Sequence, residues 1–140
     1  MTPAGTTLVI EPIGVVRSTL RDRKNAPRHA GDGAPEAVLD LEARFASALE
    51  GVRPGMDLIV VTWLHQGVRD VLQVHPGRDN ARPLTGVFAT RSPDRPNPIG
   101  IHRVKVTAVD ASARVHVAAL EAIDGTPILD LKLAVDRKEA

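Results

Sequence analysis

The sequence predicts a small all-β barrel or sandwich of seven or eight strands with one short helix. Three observations carry this reading. Val and Ile alternate, or run in short bursts, between clusters of turn residues. Gly and Pro, eleven each in 140 residues, favour short elements joined by shaped loops. No strand–helix–strand rhythm recurs, which argues against a parallel sheet with crossover helices. The length fits one domain over residues 1–140, large enough to hide roughly two-thirds of its extended-chain surface.

Leu8–Val16 reads as the first strand, with Pro12 placing part of it at an edge or bulge. Arg17–Glu36 has little periodicity and many charges, so a long mobile loop is expected there. Val38–Leu41 is a short strand. Glu42–Glu50 is the helix, with Phe45, Ala48 and Leu49 on one face and Gly51 as its stop. Met56–His65 is a largely continuous apolar strand, and Val71–His75 and Gly86–Ala89 are shorter ones flanking the loop Pro76–Leu84. Ile101–Val109 and Arg114–Leu120 alternate and form a hairpin through Asp110-Ala111-Ser112-Ala113. Pro127–Val135 is the last strand, after the turn Asp124-Gly125-Thr126. His102 and His116 are read as opposite to the apolar set of their strands, and hence exposed.

Composition excludes several function classes. The absence of cysteine removes disulfides, thiolate nucleophiles and Cys-ligated metal sites. Phe45, Trp63 and Phe88 are the only aromatic residues, too few for a stacking platform that grips single-stranded nucleic acid. The five histidines (29, 65, 75, 102 and 116) lack compact ligand spacing, so no metal is expected. No apolar run is long enough to span a membrane and no signal peptide is visible, so the expected location is cytoplasmic. Phosphate-loop, Rossmann, zinc-protease and nucleophile-elbow motifs are all missing.

Net charge is only +1, but its distribution is uneven. Arg17, Arg21, Arg23, Lys24 and Arg28 stand against Asp22 alone in residues 17–29, and residues 69–105 are also basic. Such asymmetry marks either a polyanion-facing surface or a mixed-charge solvated one. The most unusual stretch is Ala89-Thr90-Arg91-Ser92-Pro93-Asp94-Arg95-Pro96-Asn97-Pro98-Ile99-Gly100. Its three prolines fix φ and bias each preceding residue to extended backbone, stiffening the segment at low entropic cost. Arg91, Ser92, Arg95 and Asn97 hang from that frame, either as a pre-organised polar site or as a rigid, solvated connection.

Phe88–Gly100, together with Asp124-Gly125-Thr126-Pro127-Ile128-Leu129-Asp130-Leu131-Lys132, closely resembles the TrmO (TsaA-like) methyltransferase family. Pro12–Ser18 resembles that family's opening strand, and Trp63-Leu64-His65-Gln66 the strand end before its variable loop. The resemblance extends over roughly Glu11 to Lys132. It implies a closed or partly open β-barrel, an S-adenosyl-L-methionine cofactor and commonly a homodimer. The acceptor implied is threonylcarbamoyl-adenosine beside the anticodon of tRNA, methylated on its exocyclic nitrogen. Leu133 and Ala134 replace a frequent Pro-Tyr pair, and Ser18, Thr19 and Leu20 replace Ser-Pro-Phe. The extra C-terminal domain of longer bacterial members is absent from this sequence. A small-molecule acceptor, or a module that binds the cofactor or RNA without turnover, therefore stays open.

Expected roles follow from these matches. Arg91, Ser92, Arg95, Asn97 and Ile99 are cofactor-loop candidates, and Gln66 joins them from the strand end. Asp124, Gly125 and Thr126 either present N–H groups and a hydroxyl to the adenosine end or form an ordinary tight turn. Asp130 and Lys132 share a strand face and are catalytic candidates, orienting the acceptor or assisting loss of its proton, or else a surface pair. His65 is a candidate base near neutral pH. Arg17, Arg21, Arg23, Lys24 and Arg28 are candidates for phosphate contacts to tRNA.

Overall fold

A computed structural model describes residues 5–27, 31 and 33–135. Among them eight strands form: β1 (Gly14–Ser18), β2 (Ala37–Leu41), β3 (Asp57–Trp63), β4 (Gln73–Val74), β5 (Thr85–Gly86), β6 (Ile99–Asp110), β7 (Arg114–Val117) and β8 (Pro127–Leu133). Six of them pair antiparallel in the order β1-β2-β7-β6-β3-β8. Gly14↔Ile128 and Val15↔Pro127 then join β1 to β8 and bring the sheet round into a barrel. The remaining two, β4 and β5, pair only with each other as a short ribbon.

Alternation explains how the barrel fills. Val16, Leu39, Leu58, Val60, Val104, Val106, Val115, Val117 and Ile128 point inward and are buried. A fully buried Val or Leu stabilises a fold by about 1.5–3 kcal/mol relative to exposure. β6 is the longest element; it pairs with β3 through residues 99–105 and with β7 through 106–110, with a register shift between Val106 and Ala108. A second shift lies where Val61 pairs with Asp130 but Thr62 pairs with Ile128. Leu129 is the extra residue of that bulge, and beyond it the faces of β8 exchange. Leu131 therefore packs on the core, while Asp130 and Lys132 turn outward.

Several expected elements change. The first strand starts only at Gly14, and Leu8, Val9 and Ile10 are exposed. Pro12 has no N–H to donate, and the bond from Ile13 N to Ile128 O begins the pairing. The expected α-helix is a 3₁₀ segment, Ala43–Leu49, which buries Leu49 but leaves Ala48 exposed. Its Phe45 is half-buried under the Arg44 guanidinium, 4.3 Å from the ring centre. The two flanking strands shrink to the β4–β5 ribbon, with Val87–Ala89 as a 3₁₀ turn. His102 is buried rather than exposed. It shares its parity with Val104 and Val106, and the outward-facing apolar residue is its neighbour Ile101. No helix among the described residues is long and apolar enough to cross a membrane.

Candidate functional site

The proline loop between Ala89 and Ile99 is fixed first by its own short side chains. Thr90 Oγ1 accepts from the Ser92 N–H, and Ser92 Oγ accepts from the Asp94 N–H, each at 3.1 Å. Arg95 donates from Nη1 to the carbonyls of Thr90 and Ser92, so its guanidinium holds the loop from within. Asp94 then ties the loop to distant chain. Its Oδ1 accepts from the Val68 N–H at 2.9 Å, and its Oδ2 pairs with Arg23 at 3.0 Å. Partial burial pushes the Asp94 carboxyl up, yet Arg23, the Val68 N–H and the field of Arg78 outweigh it and hold it below the usual carboxylate range.

Arg69 clamps the other end. It donates from Nε to the Pro96 carbonyl (2.7 Å) and from Nη2 to Asn97 Oδ1 (2.9 Å), with its guanidinium 5.2 Å from the Trp63 ring centre. Gly67 marks where the two chain segments cross most closely. A Cβ there would lie 2.4 Å from the Pro93 carbonyl oxygen, so glycine is required by the approach of backbone to backbone.

This clamped loop walls an open groove of about 1700 Å³ at one end of the barrel. Among the described residues, seven Lys or Arg side chains and two carboxylates line it, so its field favours anions. Arg23 is spent on Asp94, but Lys24, Arg82 and Arg91 form no ion pair among the described residues. Leu64 and Ile99 add apolar wall, and His102 and Glu121 also line the groove.

The structure brings together His65, Gln66, Arg91, Ser92, Arg95, Asn97, Ile99, Thr126, Arg23 and Lys24, all along this groove. Other expected site residues make different bonds or lie elsewhere. Asp124, Gly125 and Thr126 have no free backbone donors to offer. Their N–H groups bond the carbonyls of Leu20, Val16 and Ile123, and Thr126 Oγ1 also donates to Ile123. Asp124 accepts from the Ser18 N–H and pairs with Arg21 at 3.2 Å, so the turn fastens the end of β1. Arg17 lies on the outer surface beside Asp40. Asp130 and Lys132 do not line this groove; they form an exposed ion pair at 3.2 Å outside the barrel, on the face that the Leu129 bulge gives them. Arg28 lies outside the described residues. Sequence reasoning missed Arg69, His102 and Glu121. Arg69 and Glu121 carry no local motif, and His102 sits on the inward face of β6 with Val104 and Val106, where a polar residue masks the alternation.

A small β-barrel with a cationic groove behind a rigid proline loop defines the class of protein. The chain belongs to the family described as tRNA-methyltransferase O N-terminal domain, which matches residues 15–138. An S-adenosyl-L-methionine-binding protein of Archaeoglobus fulgidus is 36% identical over 126 residues, which are 89% of this chain and 88% of that one. A probable S-adenosyl-L-methionine-binding protein of Methanothermobacter thermautotrophicus is 35% identical over 88% of this chain and 87% of its own. The crystal structure of TrmO from Pseudomonas aeruginosa superposes with a TM-score of 0.76 at 29% identity, covering 96% of this chain but 59% of that one.

The groove fits such a ligand by its donor set. The Arg91 and Arg82 guanidiniums, which form no ion pair among the described residues, suit a carboxylate, and Gln66 supplies an exposed amide for hydroxyl or base edges. The rigid loop presents Arg91 without first having to be ordered.

Proposed function

We propose that this chain is an S-adenosyl-L-methionine-dependent methyltransferase whose acceptor is threonylcarbamoyl-adenosine beside the anticodon of tRNA. The observation that carries the reading is the cationic groove walled by a loop clamped at both ends, through Asp94 and Arg69. When bound, the cofactor supplies a methyl group activated on a sulfonium. The chain's own work is orientation: Arg91 and Gln66 hold the ligand, and Arg69 and Asp94 keep the loop from yielding. Alignment alone contributes roughly 7–11 kcal/mol in favourable cases. Lys24 and Arg82, which form no ion pair among the described residues, give the groove rim its attraction for RNA phosphates.

A second copy of the chain is the partner that fits the outer face of β6, β3 and β8. There Ile101 pairs with Val61, and Trp63 with Ile99, in an apolar strip whose Ile99 and Ile101 are 41% and 48% exposed. Ile99 and Ile101 also border the groove, so a homodimer through this strip would wall its open side.

Incubation of purified protein with cofactor and tRNA carrying threonylcarbamoyl-adenosine, followed by nucleoside mass spectrometry, tests the reading. A new species one methyl group heavier is expected. Cofactor binding with no methylated nucleoside contradicts the tRNA acceptor, and transfer to a small molecule alone redirects it.

A further inference from the structure

The inner wall of the barrel at the groove end carries a polar cluster among Val and Leu side chains. His102, 6% exposed, places Nε2 2.8 Å from Thr62 Oγ1 and Nδ1 2.5 Å from a carboxylate oxygen of Glu121. The three residues come from β6, β3 and the segment before the Asp124–Thr126 turn. Burying an imidazole and a carboxylate costs free energy that apolar residues of similar volume would avoid. Gly100 makes room for the cluster. A Cβ there would stand 2.6 Å from Thr62 Oγ1 and 2.9 Å from His102 Nε2.

The layout separates the roles. Thr62 is fully buried and lies off the groove, so its hydroxyl fixes the ring and is not a nucleophile. His102 and Glu121 both line the groove, within reach of what it holds. A ring that bonds a hydroxyl at one nitrogen and a carboxylate at the other keeps one orientation and aims the carboxylate. Asp130 and Lys132 lie outside this groove, which leaves Glu121 and Asp94 as its carboxylates among the described residues.

We propose that Glu121, oriented by His102, accepts the proton that an N–H methyl acceptor gives up; this rests on the methyl-transfer reading above. The acceptor nitrogen forms a bond to the methyl carbon, and the carbon–sulfur bond breaks with its electron pair left on sulfur. The N–H proton passes to the Glu121–His102 pair, which holds it until solvent removes it. Glu121 is the group that meets the acceptor, and His102 and Thr62 are positioning residues.

The experiment compares wild type with Glu121→Gln, Glu121→Ala and His102→Gln in single-turnover methylation of tRNA at saturating cofactor. Melting curves and calorimetric titration with S-adenosylmethionine accompany each variant. Glu121→Gln should bind the cofactor within twofold of wild type and transfer at least about a hundredfold more slowly. Formate should restore at least about tenfold of the rate lost in Glu121→Ala, as a small carboxylate entering the vacated site. Independently of turnover, the proton on His102 Nδ1 should give a far-downfield NMR resonance, absent from His102→Gln and displaced by S-adenosylhomocysteine. Near-normal transfer in a folded Glu121→Gln, no rescue by formate, or a resonance unmoved by S-adenosylhomocysteine would each overturn the proposal. So would failure of both Glu121 variants to fold, which would assign the pair to stability. If wild type itself transfers no methyl group, the broader reading fails and the proton role falls with it.

Discussion

Arg69 shows how a single side chain converts a stiff loop into a fixed one. Its two donors close on Pro96 and Asn97, and its flat face covers Trp63. Its contacts are exposed, so Arg69→Ala should cost only about 1 kcal/mol of stability. Cofactor affinity should fall further, by about tenfold, because the loop must then be ordered at the moment of binding. A thermal melt and calorimetry on the same preparation check both halves. Asp94 gives a pH test. Its pKa is lowered in the folded chain, so its contribution is complete above the unfolded value near 4. It is lost as pH falls through the lower folded value. The stability gap between wild type and Asp94→Asn, read from urea midpoints, should therefore be constant near neutrality and shrink below about pH 4. A gap that persists at low pH would remove the ion pair with Arg23 as its source. The sequence displayed Ser92, Arg95 and Asn97 but not their duties. Arg23 meets Asp94 across 71 positions of chain, a pairing that no local pattern encodes.

Among the elements, the alternating strands were legible and the irregular ones were not. β6 and β7 appear in the sequence because inward Val104, Val106, Val115 and Val117 alternate with polar residues. β4 and β5 are two residues each, held by a ribbon pairing that periodicity does not report. The bulge at Leu129 is the most consequential irregularity, since one extra residue turned Asp130 and Lys132 from a supposed cleft to the outer surface. Asp130→Asn should consequently leave cofactor affinity within twofold and the melting temperature within a degree or two, as for other exposed ion pairs. Loss of cofactor binding in that variant would place the pair in the site after all, through a partner's groove. Gly67→Ala should behave oppositely. The added carbon meets the Pro93 carbonyl, a backbone atom that cannot swing aside, so the proline loop must shift. Cofactor affinity should fall more than tenfold while far-ultraviolet circular dichroism keeps its β-sheet signature. An unchanged affinity would show that the loop's position is not what the ligand reads.

At the scale of the whole molecule, a near-neutral chain carries one groove in which cations outnumber carboxylates. Seven of its eighteen Lys and Arg side chains line the groove, as the uneven charge runs of the sequence foreshadow, although Arg17 and Arg21 pair with Asp40 and Asp124 at the surface and Arg23 with Asp94. Affinity for tRNA should fall steeply between low and moderate salt, because each phosphate contact releases counterions. The apolar strip on β6 and β3 should bring two chains together, and Ile101→Lys should then give a monomer by light scattering while wild type gives a dimer. The most direct test of the groove as the ligand site is calorimetric titration of S-adenosylmethionine into wild type and Arg91→Ala. Arg91 is exposed and makes no ion pair among the described residues, so its removal leaves the fold as stable as before. Wild type should show one saturable site per chain, and Arg91→Ala should bind at least about tenfold more weakly, a loss of about 1.4 kcal/mol. Equal affinity in the two proteins, or no saturable heat in wild type, would contradict the placement of the cofactor in this groove.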